Sequence, residues 1–181
     1  SYFASNFSND TRLLSVDILE SITQKRNTRY STQEHYDCAS AFQKSLRGSD
    51  ANAAIYYLAK MIEAGEDPRF IARRLIVCAA EDVGLADPNA MNIAVNAYRA
   101  VEIIGLPEGR IPLANAVVYV ANAPKSNKII MAIDKALADI ESGKDFPPPM
   151  HLRDAHYKDA KKYGFGEGYV YTHAAPDVEQ Q

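Results

Sequence analysis

Arg47-Gly48-Ser49-Asp50, Gly65-Glu66-Asp67-Pro68, Gly84-Leu85-Ala86-Asp87-Pro88 and Gly105-Leu106-Pro107-Glu108 punctuate this chain at spacings of about one helix length. Glycine tolerates the left-handed backbone that closes a helix. Aspartate accepts the free amide hydrogens that open the next, and proline fits a first turn where its missing donor is not needed. Each stop therefore predicts one helix ending and another beginning within a few residues. The region between Arg47 and Lys125 reads as antiparallel helices joined by short turns.

The segments around these stops carry the helical period. Residues 35–47 space Cys38, Ala41, Phe42 and Ser45 by three and four. Residues 50–64 align Ala54, Tyr57, Leu58, Met61 and Ile62, and residues 67–83 align Phe70, Ile71, Leu75 and Cys78. Residues 87–104 align Met91, Ala94, Tyr98 and Val101, and residues 125–142 align Ile129, Ile133, Ala136, Leu137 and Ile140. No comparable alternating segment marks a strand, so the fold class is all-α.

Residues 107–123 differ, being apolar nearly all round, with Leu113, Val117, Val118 and Val120 on several faces. Such a helix must be covered on every side. It is either the central helix of a monomer or an outer helix whose second face meets another subunit. On the second reading these four residues are the candidate oligomer interface.

The flanks are less regular. Ser15 can cap a helix carrying Val16, Leu19 and Ile22, and residues 27–33 look like a polar linker. Residues 1–31 are thus expected to be the tail of a preceding domain, residues 32–143 a helical domain, and residues 144–181 an irregular strap. Pro147-Pro148-Pro149 cannot continue a helix, and residues 152–163 predict one more short helix. The glycine and aromatic run from Gly164 to Tyr171 suits a tight loop whose rings dock on the bundle.

With 181 residues, 47% hydrophobic and 24% charged, the chain has the balance of a globular domain with one substantial core. Cys38 and Cys78 fall in helical patterns and read as small buried hydrophobes of an intracellular protein. The longest uncharged stretch, residues 111–124, is too short to span a bilayer, so no membrane partner is expected. The absent initiator methionine and the Gln180-Gln181 ending point to a piece of a longer protein.

Candidate chemistry is thin. No GxxxxGK[ST] loop is present, and the glycines of residues 164–168 do not open a helix after a strand. His35 and Cys38, like His151 and His156, lack a second pair at zinc spacing, so no metal site is expected. Glu81 and Asp82 are adjacent on a helix and point apart, so they do not share a substrate proton. Their place near a negative helix end calls for a cationic partner such as Arg73, Arg74 or Arg110. No catalytic residue is assigned. Lys44 and Arg47 favour the dipole at the end of the first body helix. Arg69, Arg73 and Arg74 share one helix and Lys158, Lys161 and Lys162 one short segment; these six are the candidate DNA contacts. The net charge of −3 weighs against a chain that is mainly a nucleic-acid groove.

The wording of the motifs goes further than their spacing. Ser40 to Asp50 reads Ser-Ala-Phe-Gln-Lys-Ser-Leu-Arg-Gly-Ser-Asp, and Glu63 to Leu75 reads Glu-Ala-Gly-Glu-Asp-Pro-Arg-Phe-Ile-Ala-Arg-Arg-Leu. Glu81-Asp82-Val83-Gly84-Leu85-Ala86-Asp87-Pro88, Ala123-Pro124-Lys125-Ser126-Asn127, His151-Leu152-Arg153-Asp154-Ala155 and Gly164-Phe165-Gly166-Glu167-Gly168-Tyr169 follow in order. Residues 33–171 thereby resemble the C-terminal region of the RarA/MgsA family of AAA+ ATPases, which includes the Werner-helicase-interacting protein. Residues 14–29 resemble the last helix of that family's lid domain. Cys38, Cys78 and the Ala174-Ala175-Pro176 tail depart mildly from its pattern.

The resemblance implies a helical domain related to the clamp-loader collar, serving to assemble a homotetramer. It implies a DNA-stimulated ATPase parent acting at stalled replication forks in replication, recombination and repair. ATP and magnesium would bind in an ATPase region outside this sequence, with no cofactor here. DNA and single-strand-binding protein are the implied partners. The implied location is the bacterial nucleoid or the eukaryotic nucleus.

Overall fold

A computed structural model describes residues 31–156, 158–171 and 173. The expected helix carrying Val16, Leu19 and Ile22, and the Ala174-Ala175-Pro176 tail, lie outside these residues. Among the described residues there are six α-helices and no strand: α1 (Thr32–Arg47), α2 (Ala51–Glu63), α3 (Pro68–Cys78), α4 (Asn89–Ile104), α5 (Arg110–Asn122) and α6 (Lys128–Glu141). The chain divides into two compact units after Ala132, within α6.

In the first unit α1 to α4 start where side-chain chemistry opens them, whereas α5 follows Gly109 with no side-chain cap. Ser31 and Glu34 form a capping box: the hydroxyl accepts from the Glu34 amide at 3.2 Å and the carboxylate from the Ser31 amide at 2.8 Å. That box begins α1 inside the stretch expected to be linker. Asp50 accepts from the Ala53 amide at 2.9 Å, and Asp67 from the Arg69 amide at 2.9 Å, with Pro68 in the first turn. Asp87 does the same for the Asn89 amide at 3.0 Å, and its other oxygen accepts from the Tyr119 hydroxyl at 2.8 Å.

The stops close less uniformly than expected. Gly65, Gly84 and Gly105 take positive φ, but at the first stop it is Ser49, with φ 60°, that does so, while Gly48 stays at −79°. After Cys78 the expected helix to Val83 widens into a π-helical turn, Ala79–Val83, followed by a tight 3-10 turn, Gly84–Ala86. Such a wide turn re-aims the side chains that follow it.

α5 is the central helix. It packs against α2 and α4 most extensively and also touches α1 and α3. Its Leu113, Ala116, Val117, Val120 and Ala121 are all buried. Phe42 and Leu46 from α1, Met61 from α2, and Ile71 and Leu75 from α3 complete the largest part of the core. Each such side chain contributes roughly 1.5–3 kcal/mol by leaving water. α2 and α3, though consecutive, scarcely touch; α2 lies on α1 and α5, and α3 on α4. The arrangement is a cluster around one apolar helix rather than a sequential stack.

In the second unit α6 runs on to Glu141, where Asp139 bonds Lys135 at 2.9 Å and Lys144 at 2.8 Å. The helix expected over residues 152–163 is replaced by two 3-10 turns, Met150–Leu152 and Ala160–Tyr163. Asp154 accepts from the His156 amide at 3.0 Å, a local bond that competes with helix formation. The glycine loop returns so that the Gly166 amide donates to the Met150 carbonyl at 2.8 Å. Arg153 lies over the Phe165 ring, 5.2 Å from its centre.

Candidate functional site

Two features concentrate unusual side chains: a polar hub beside the π turn in the first unit, and apolar surface left exposed on α5 and along α6. The hub forms because the π turn directs Asp82 inward, where it is 6% exposed. Its carboxylate accepts from the Arg47 Nε at 2.6 Å, and Glu81 sits 3.4 Å from the same guanidinium. The cation answering this acidic pair is thus Arg47, not Arg73, Arg74 or Arg110. Arg110 instead donates to the Pro107 carbonyl at 2.6 Å, and Arg73 is exposed. Charge at the end of α1 reaches Asp82 because α1 and α3 pack together. The hydrogen bond to Asp82 raises the Arg47 pKa above its ordinary value, and the charge of that carboxylate adds to it.

The other Asp82 oxygen is buried with no nitrogen or oxygen donor. The Cys78 thiol lies against the carboxylate; burial, reinforced by Asp82, pushes the thiol up to about 12. A thiol held protonated is no nucleophile at neutral pH. Lys125 completes the hub. Its ammonium donates to the carbonyls of Val120 at 3.1 Å, Ala121 at 2.8 Å and Ala123 at 2.7 Å, and to the Ser49 hydroxyl at 3.2 Å. This places a cation on the negative end of α5. The Ser126 amide donates to the Asp82 carbonyl at 2.7 Å, joining the segment before α6 to the π turn. Neither Arg47 nor Lys125 was recognisable as a site residue from spacing. The available signal was that an acid beside Gly84 needs a cation, and that Arg47 stands in the first quoted stop.

Of the four candidate interface residues, Leu113, Val117 and Val120 are fully buried in the core of the single chain, and only Val118 is exposed. Ile111, about two turns earlier on the same side of α5, is exposed as well. The larger uncovered surface belongs to α6. No residue of this helix is buried, and Ile129, Ile133, Leu137 and Ile140 are each about half exposed. These four fall at helical spacing on one side.

The candidate DNA contacts are divided between the two units, Arg69, Arg73 and Arg74 in the first and Lys158, Lys161 and Lys162 in the second. Arg69 and Arg73 are exposed one turn apart on α3, and Arg69 pairs with Asp67 at 3.1 Å. Arg74 is half-buried, its Nε without a partner. Lys158 is exposed, Lys162 pairs with Asp159 at 2.8 Å, and the Lys161 side chain is outside what the structure describes.

His35 bonds the Glu66 carboxylate and packs on Tyr36 and Phe70, joining α1 to the turn before α3. Among the described residues no group of three or more histidine, cysteine and acidic side chains is gathered to hold a metal ion. No helix among them is long and apolar enough to cross a membrane.

The family model described as MgsA AAA+ ATPase C terminal matches residues 48–181. Replication-associated recombination protein A of Bacillus subtilis is 52% identical over 172 residues, which cover 93% of this chain and 41% of that protein. The protein of the same name from Escherichia coli K12 is 43% identical over 90% of this chain and 37% of its own length. The ATPase WRNIP1 of Dictyostelium discoideum is 42% identical over 80% of this chain and 17% of its length. The chain thus spans about two fifths of its bacterial relatives, or less. Helical around one apolar helix in its described residues, and matched by the family model from residue 48 to 181, the chain belongs to the MgsA AAA+ ATPase C-terminal family.

Proposed function

We propose that this chain is the assembly region of a DNA-dependent AAA+ ATPase of replication and recombination, holding copies together as a homotetramer. The observation that carries the reading is the uncovered apolar side of α6, Ile129, Ile133, Leu137 and Ile140, on a helix with no buried residue. A helix with one apolar stripe is stable in water when that stripe is covered. Ile111 and Val118 are exposed on the otherwise central α5 and are a separate candidate surface of the first unit. ATP hydrolysis, with its magnesium, belongs to the part of the parent that precedes this sequence. Single-strand-binding protein is a partner of the assembled parent.

Light scattering at several concentrations tests the reading. An oligomer whose mass falls in Leu137→Glu, with the thermal unfolding of the body unchanged, supports it. A strict monomer at every concentration overturns it.

A second reading, contact with DNA, is favoured by Arg69 and Arg73, which stand exposed on the same side of α3. Such a pair can meet successive phosphates of a strand.

A further inference from the structure

The entry into α6 is held by polar ties. Before it, Pro124-Lys125-Ser126-Asn127 passes the end of α5 without regular structure. Three features fasten that passage. The Lys125 ammonium, half-buried, takes the Val120, Ala121 and Ala123 carbonyls and the Ser49 hydroxyl. The Ser126 amide takes the Asp82 carbonyl. Gly84, at φ 53°, lies so close that a Cβ there would stand 3.2 Å from the Ser126 carbonyl oxygen and 3.7 Å from Ile129 Cγ1.

Each tie meets a different part of the body: the first stop through Ser49, the π turn through Asp82, and the 3-10 turn through Gly84. The π turn is itself pinned, because Asp82 is bonded to Arg47. Apolar burial contributes little to this first turn, since no residue of α6 is buried. Carbonyls at a helix end that lose a cation return to water with little loss, but the segment that carried the cation loses its anchor.

We propose that Lys125 is a latch that fixes the segment before α6 and its first turn on the body, and that copies associate only with the latch closed. The second half rests on the proposed assembly; the first half does not.

Hydrogen exchange followed by mass spectrometry reads the latch, and light scattering reads the assembly. In Lys125→Met the amides of residues 126–131 should exchange at least about tenfold faster, while those of α5 around Val117 keep their protection. Lys128→Met, in the same segment but outside the hub, should leave both unchanged. Lys125→Gln retains two donors and should give a smaller rise, which keeps the test open if Lys125→Met fails to fold. Unchanged exchange at residues 126–131 in both Lys125 variants overturns the latch. Faster exchange with an undiminished oligomer overturns its control of assembly and leaves the local latch standing. A wild-type monomer removes the assembly reading, and the exchange result still decides the latch.

Discussion

At the residue scale, the chemistry of this chain is set by what is buried together. Asp82 and Cys78 are both buried, but only Asp82 is charged, and Arg47 from another helix answers that charge. Breaking such a pair from one side leaves an uncompensated buried charge, which is why the hub resists piecemeal change. Cys78 has a thermodynamic consequence of its own. Its folded thiol is raised from 9.0 to about 12, chiefly by burial, so the folded state holds the proton after the unfolded state has lost it. This stabilisation is fully present below pH 9 and is lost progressively as pH climbs from there towards about 12. Urea midpoints should therefore fall over that range, and less so in Cys78→Ala. Native Cys78 should also resist a thiol-labelling reagent at pH 8, becoming reactive only on unfolding; rapid labelling of the folded chain would contradict its placement. Ser49 teaches a different lesson. The left-handed position expected of Gly48 falls on its neighbour, because the reversal between α1 and α2 lies one residue later than the glycine.

At the element scale, α5 shows where a helix pattern is informative and where it stops. An all-round apolar sequence demands cover, but it does not say whether one chain or two provide it. In the structure, four other helices of the same chain do most of the covering. Leu113→Ala should cost about 3 kcal/mol in denaturant unfolding, because it removes a fully buried side chain from that centre. Val118 lies on the exposed side, so Val118→Asp should change unfolding by no more than about 0.5 kcal/mol. A fall in oligomer mass in that variant would assign the side to the proposed interface, whereas a cooperative loss of fold would show the side to be covered. The starts of α2, α3 and α4 were readable because Asp50, Asp67 and Asp87 each act within three residues; the Ser31 box that opens α1 lay in the expected linker. The π turn was not, since a widened turn leaves no local mark distinct from ordinary helix; the bond from Arg47 to Asp82 accompanies it.

At the scale of the whole molecule, the proposed assembly and the proposed DNA contact differ in their response to salt. Apolar association through α6 depends weakly on ionic strength, whereas phosphate contacts release counterions and weaken steeply. Binding of single-stranded or forked DNA, compared between about 50 and 200 mM salt, should lose affinity by orders of magnitude if several cations contribute. Arg73→Ala should then lower the salt slope by roughly 0.7 to 0.9 if that side chain meets a phosphate. A slope unchanged by the substitution would remove Arg73 from the contact.

By itself the sequence determined the six α-helices, the starts of α2, α3 and α4, and the family. These follow from caps, turn residues and periodicity that act over a few residues, and from motif wording that needs no coordinates. It did not determine the two 3-10 turns that stand where a helix over residues 152–163 was expected. Tertiary structure alone decided that α5 is central, that Arg47 rather than Arg73, Arg74 or Arg110 meets Asp82, and that Leu113, Val117 and Val120 point inward. Those outcomes depend on which helices pack side by side, and packing brings together residues tens of positions apart that no local pattern connects.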